Sequence, residues 1–221
     1  MKVTSRILEK HRTLAGLFAV AAISLSRLAT DLFANQQQKT TMDNSQRDMI
    51  TALEAPGPHP SVGEQARVFD RFVGTWDCDY ANFKDDGTTE RARGEVIFGW
   101  VLDGRAVQDI WTWTYENTNG QRELGTTVRF FDSKAGKWRI AWIDPVNLAI
   151  KILADGAVGD RIVLEGKTDD GAQIRWSFNE IRKDSFIWRG EKSRDSGKTW
   201  RLVAEYHLKR RGASSLKGRS N

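Results

Sequence analysis

The sequence predicts an all-β fold, a closed antiparallel up-and-down barrel of about ten strands with one or two short N-terminal helices. Three observations carry this expectation. All nine tryptophans fall between Trp76 and Trp200, most of them in short alternating runs such as Ile110–Tyr115, Lys137–Trp142 and Gln173–Phe178. Alternation at a period of two marks a strand with one buried face. Turn pairs separate the runs, among them Asp86-Gly87, Asp103-Gly104, Asn119-Gly120, Asp170-Gly171 and Ser196-Gly197. Asp-Gly and Asn-Gly supply the positive φ that tight hairpins need. The connections are also too short for crossover helices, which argues against an α/β fold. A long meander sheet removes its exposed edges by closing on itself.

The elements follow in order. Residues 1–41 form an N-terminal extension. In it the apolar run Leu14–Leu25 stands behind Lys2, Arg6, Lys10 and Arg12. Three readings stay open for this segment. It is an export signal or membrane anchor, an amphipathic surface helix, or a disordered extension upstream of a translation start at Met42. The run falls short of the roughly 20 residues that span a bilayer. Localisation is read as cytoplasmic, and as exported if residues 1–34 act as a signal; membrane contact is expected only if residues 14–25 act as an anchor. Residues 42–61 form a short helix and a Pro-rich linker. The helix is expected over 44–54 with Asn44 or Ser45 as N-cap, and it stops at Pro56-Gly57-Pro58-His59-Pro60. A second short helix over 62–72 would put Val62, Ala66, Phe69 and Phe72 on one face. Strands are expected near 75–83, 89–100, 105–116, 122–131, 137–143, 147–153, 160–166, 172–181, 185–193 and 199–209, so the barrel covers 62–209. Residues 210–221 are read as a basic disordered tail.

Charge is unevenly divided. Residues 1–41 carry net +4 and residues 208–221 net +5, so the total of +5 leaves residues 42–207 at −4. A mildly acidic body argues against a nucleic-acid-binding face, which would concentrate positive charge. The single cysteine, Cys78, excludes an internal disulfide framework and Cys-based zinc sites. His11, His59 and His207 are scattered, so no metal site is expected.

Alternation assigns the faces. The inner set is Trp76/Cys78/Tyr80, Val96/Phe98/Trp100, Val107/Asp109/Trp111/Trp113/Tyr115, Leu124/Thr126/Val128/Phe130, Trp138/Ile140/Trp142, Ile174/Trp176/Phe178, Phe186/Trp188 and Trp200/Leu202/Ala204/Tyr206. The outer set includes Asp77, Asp79, Arg129, Arg139, Glu165, Arg175, Arg189, Arg201, Glu205 and His207.

A short helix followed by Phe72-Val73-Gly74-Thr75-Trp76 and a run of hairpins resembles the calycin superfamily, which includes lipocalins, fatty-acid-binding proteins and nitrobindin-like barrels. In those proteins the tryptophan of a Gly-x-Trp plugs one end of the barrel. Gly104–Asp109, the Phe130-Phe131-Asp132…Gly136-Lys137-Trp138 hairpin and Trp188-Arg189-Gly190-Glu191 are similar to bacterial lipocalin-like families of unknown function. The resemblance implies a lipocalin-like barrel over 62–209, with room for a small ligand and no known chemistry. Nitrobindin-like relatives hold haem through a histidine near the C-terminus. His207 lies in that region, but strand parity turns it outward, so no cofactor is expected. Ser193–Trp200 also matches the Asp-box of sialidase propellers, S-x-D-x-G-x-T-W. A propeller needs several copies at blade spacing, and this single full copy reads as a well-made hairpin.

The expected function is binding of a small, flat apolar molecule on an inner Trp/Tyr face. The ligand-contacting candidates are Trp76, Tyr80, Asp109, Trp111, Trp113, Trp142, Trp176, Trp188 and Tyr206. Apolar walls with a few polar anchors make the usual small-molecule pocket. Two alternatives stand beside this reading. One is a packed structural or interaction barrel without ligand, since nine indoles are able to fill a small barrel. The other is a cyclase- or isomerase-type enzyme using Asp109 as acid or base, with Tyr80 or Tyr206 as partner. Asp109 is also readable as a structural acid paired with Arg105 or Arg129. Cys78 reads as a small core hydrophobe, and Asp77 and Asp79 as surface acids rather than a divalent-ion contact. Ligand identity, oligomeric state and a hollow or filled interior stay open at this point.

Overall fold

The computed structural model describes residues 44–115 and 122–212. The apolar run 14–25 and most of the C-terminal basic segment lie outside these residues. The chain divides into two compact units, Met1–Ala52 and Leu53–Asn221. Residues 44–53 are helical (α1), which includes all the described residues of the first unit. Among the described residues no helix is long and apolar enough to cross a membrane.

The second unit is the barrel. After the linker come a 3-10 segment at Pro60–Ala66 and one α-helical turn, α2, at Arg67–Asp70. The strands are β1 Gly74–Phe83, β2 Thr89–Val101, β3 Ala106–Tyr115, β4 Arg122–Asp132, β5 Lys137–Asp144, β6 Ala149–Val158, β7 Arg161–Lys167, β8 Gln173–Asn179, β9 Ser185–Ser193 and β10 Arg201–Arg210. Every strand pairs antiparallel with its sequence neighbours, and β1 pairs with β10 from Trp76↔Arg210 to Asn82↔Ala204, which closes the barrel. The linker joins the same unit: Glu54 bridges Val101, and the Ala55 amide donates to the Trp100 carbonyl at 3.1 Å.

Strand parity places most inner residues where alternation puts them, with three departures. The first is β4, whose inward residues are Gly125, Thr127, Arg129 and Phe131, while Leu124 is 45% and Phe130 50% exposed. Hydrophobicity misleads here because the inner positions answer to their neighbours. Gly125 lies beneath the Trp142 ring, and Arg129 meets the buried Asp109. The second is Trp200, which precedes β10 and lies outside the core. The Arg175 guanidinium stacks 3.8 Å from its ring centroid, and its indole N–H donates to the Gly197 carbonyl. The third is a β-bulge between Leu202 and Ala204 that shifts the register and brings Val203 onto the inner wall beside Ala204.

One end of the barrel is solid. Val62, Ala66, Phe69 and Phe72 from the helical segment are buried against Trp76, Phe98, Trp138, Phe178 and Phe186. The Trp76 indole donates to the Phe72 carbonyl at 2.7 Å, and Trp100 donates to Asp70 at 2.8 Å, so the polar edges of these rings are satisfied while their faces are buried. Arg210 and Arg211 belong to this end rather than to a solvated tail. Arg210 sits 4.1 Å from the Trp76 ring centroid and donates to the Val73 and Arg71 carbonyls. Arg211 pairs with Asp77 and Glu95. Two basic residues that read as solvated in isolation are held because the chain entering β1 offers carbonyls, and β1 and β2 offer an indole face and acids, within their reach.

Candidate functional site

The opposite end is hollow. A cavity of about 270 Å³ opens there, walled by Tyr80, Trp111, Trp113, Trp142, Trp176 and Trp188, with Tyr206 beside them. This lies just under the low end of the range for small-molecule sites, roughly 300 Å³. The rings hold one another by edges and faces. Trp188 stacks on Tyr206 with centroids 4.7 Å apart and planes at 14°, Trp176 meets Trp188 at 5.5 Å, and Trp142 meets Trp176 edge-on at 6.2 Å. The tryptophans therefore divide into three groups: Trp76, Trp100 and Trp138 pack the solid half, Trp111, Trp113, Trp142, Trp176 and Trp188 wall the cavity, and Trp200 lies outside.

Two strand glycines keep the space open. A Cβ on Gly125 would stand 2.4 Å from the Trp142 ring, and one on Gly190 would stand 3.0 Å from the Trp188 ring. Without side chains at these positions the outer edges of the indoles come up against the strand backbone. Glycine inside a strand often marks such a close approach, and this was the available sequence signal for a cavity.

The cavity floor carries a buried ion pair. Arg129 is 2% and Asp109 0% exposed. Arg129 Nη2 donates to Asp109 Oδ2 at 2.5 Å, and the Thr127 amide donates to Asp109 Oδ1 at 3.0 Å. Arg129 lines the cavity, and its guanidinium carbon sits 4.8 Å from the Phe69 ring centroid and 5.5 Å from that of Phe98. It therefore joins the solid half to the hollow half. The pair is single-pronged: Arg129 Nε and Nη1 are buried and find no acceptor in the protein. Each buried donor left unmet costs about 1–3 kcal/mol.

Several other polar groups at the cavity are engaged. Tyr80 donates to the Thr112 carbonyl at 3.2 Å, and Tyr206 donates to Asn82 Oδ1 at 2.8 Å. Burial raises both phenols above their ordinary value and keeps them protonated. At the rim, Asp144 accepts from the Asn147 amide and side chain at 2.9 and 3.0 Å. Lys151 lies 5.7 Å over the Trp176 ring, and desolvation lowers its pKa while Asp144 opposes the shift. Cys78 is buried and its thiol is raised by desolvation, so it is protonated and unreactive at neutral pH. His207 faces outward and contacts Glu205 at 2.9 Å. Among the described residues no group of three or more His, Cys, Asp or Glu is arranged to hold a metal ion.

Seven of the nine sequence candidates meet at the cavity: Tyr80, Trp111, Trp113, Trp142, Trp176, Trp188 and Tyr206. Trp76 does not, because it packs the closed end. Asp109 lies behind Arg129, and neither Tyr80 nor Tyr206 donates its hydroxyl to it. Arg129, Gly190, Lys151, Asp144, Asn82 and Val203 line the cavity and were not among the candidates.

The Asp-box hairpin is local turn chemistry. Asp195 accepts from the Thr199 hydroxyl at 2.6 Å, the Thr199 amide at 2.9 Å and the Ser193 hydroxyl at 2.8 Å. These bonds, led by the Thr199 hydroxyl, hold its pKa down at about 2 against an ordinary 3.8. The hairpin's bonds are therefore complete above about pH 4 and are lost as pH falls through about 2. The Thr199 amide resonance is expected to titrate with a midpoint near 2. A midpoint at the ordinary carboxylate value would show that Asp195 is not held this way.

No protein-family model matches the sequence, and the curated proteins searched include no match. Several solved structures are similar to this chain. The S-type phycobiliprotein lyase CPES from Guillardia theta is 13% identical over 66% of this chain and 92% of that chain, with a TM-score of 0.50. Rv2717c from M. tuberculosis is 13% identical over 70% and 99%, with a TM-score of 0.48. A de novo designed fluorescence-activating β-barrel is 15% identical over 64% and 95%, with a TM-score of 0.34. At such identities the likeness speaks for the fold alone, a calycin-like β-barrel with an aromatic-rich interior.

Proposed function

We propose that the protein is a binding module that takes a small, flat apolar molecule into the open half of its barrel. One observation carries this reading. Five tryptophans and three tyrosines wall a cavity of about 270 Å³ instead of filling it, while the other half of the same barrel is packed solid. A chain that needed only a stable core would gain by packing both halves, because close-packed side chains stabilise and voids cost. Leaving room for the rings at Gly125 and Gly190 forgoes that gain. The volume suits a molecule of one to three fused rings. The indole and phenol rings offer such a ligand apolar area and aromatic contacts.

The test is a fluorescence titration with a panel of one- to three-ring aromatic compounds. Saturable quenching with one site per chain is the expected result. In Gly125→Ala the new methyl forces the Trp142 ring off the wall and into the cavity. That variant is expected to lose at least about 10-fold in affinity for any binder found, with a stability cost of about 1–3 kcal/mol. Absence of saturable quenching across the panel contradicts the reading.

A further inference from the structure

We propose that the cavity selects a flat ligand that carries a neutral carbonyl oxygen on its buried edge, such as an aryl ketone, and that Arg129 is the group that recognises it. The proposal rests on the cavity being a ligand site and names the class of ligand it takes. Arg129 lines the cavity floor, is 2% exposed, and leaves Nε and Nη1 without an acceptor. A guanidinium presents five N–H donors in a fixed plane. Asp109 takes one of them through Oδ2, and its Oδ1 is occupied by the Thr127 amide. The donors that remain are unspent, on a side chain that lines the aromatic cavity.

The charge balance decides between a neutral and an anionic partner. The ionised side chains lining the cavity are Arg129, Lys151 and Asp144, with Asp109 directly behind Arg129. Arg129 is paired with Asp109, and the rim adds one side chain of each sign, Lys151 and Asp144. The floor therefore lacks acceptors and not negative charge. A carboxylate would add an uncompensated charge next to Asp109, in surroundings that penalise it. A ketone oxygen satisfies the open donors with no added charge. A bare hydrocarbon leaves them unmet. Tyr80 and Tyr206 do not compete for this role, since each of their hydroxyls already donates within the wall.

Three probes of one shape test the idea: 1-indanone, indane and indane-1-carboxylate, each titrated calorimetrically into the full chain. The ketone is expected to bind at least about 10-fold more tightly than indane, as for a hydrogen bond to a charged donor. It is also expected to bind more tightly than the carboxylate. In the paired variant Arg129→Met with Asp109→Leu, which removes both charges together, the ketone's advantage over indane is expected to fall below about 2-fold. The infrared carbonyl stretch of bound 1-indanone gives a second readout that needs no variant. It is expected below its frequency in an apolar solvent, as for a carbonyl hydrogen-bonded to a cation. Equal binding of ketone and indane, tightest binding of the carboxylate, or an unshifted stretch overturns the proposal while the binding reading stands. If none of the three binds, both fail together.

Discussion

Asp109→Ala is expected to lose about 3–5 kcal/mol of folding stability, the cost of stripping one partner from a buried ion pair. The loss comes from what stays behind. Arg129 keeps its charge between the Phe69 ring and the cavity, and the Thr127 amide loses its acceptor. Arg129→Met is expected to cost a similar amount for the mirror reason. Replacing both residues together, as Asp109→Leu with Arg129→Met, is expected to be less damaging than either single change, because well-packed apolar side chains often match a buried pair in stability. Urea denaturation of the four proteins gives the coupling directly. Additive losses would mean that the two side chains do not act as a pair.

The second large effect separates the tryptophans. Trp76→Ala is expected to cost about 3–5 kcal/mol, typical of a fully buried aromatic. It removes the ring wedged against Phe72 and Phe186, the cover for Arg210, and an indole bond to Phe72. Trp200→Ala is expected to cost about 1 kcal/mol or less, since it loses an exterior cation–π contact with Arg175 and one turn bond. Equal denaturation midpoints for the two variants would remove the distinction between inner and outer rings.

Much of the fold was legible because local chemistry and global architecture agree. The Asp-Gly turns, the alternating runs and the Phe72–Trp76 entry point each read the same way in isolation as in the barrel. The strand β4 was not legible by the same rule. Leu124, Val128 and Phe130 look like the inner face, yet Gly125, Thr127 and Arg129 occupy it. What sets that face is the ring of Trp142 and the carboxylate of Asp109, both contributed by other strands. Alternation within one strand carries no record of them. Trp200 failed for a related reason: its hydrophobicity serves a hairpin and a stacked arginine on the outside. The candidate site was readable in its aromatic walls and half readable in its floor: Asp109 pairs with Arg129, one of the two partners its inward position suggests, although alternation along β4 turns Arg129 outward. Arg129 on an apolar face contradicts hydrophobic patterning unless its partner is already known. Parity places Asp109 inward, and a buried carboxylate calls for a buried cation, which β4 supplies only in the opposite register.

The barrel divides into a solid and a hollow half, and the proposed role of the hollow half is to hold a small molecule. Native mass spectrometry of the protein purified from its own host tests this most directly. The expected result is a population carrying one retained small molecule per chain, present in the natural protein and depleted in Gly125→Ala, where Trp142 is driven into the cavity. A natural protein that shows only the bare chain mass, or an adduct that persists unchanged in Gly125→Ala, would contradict it.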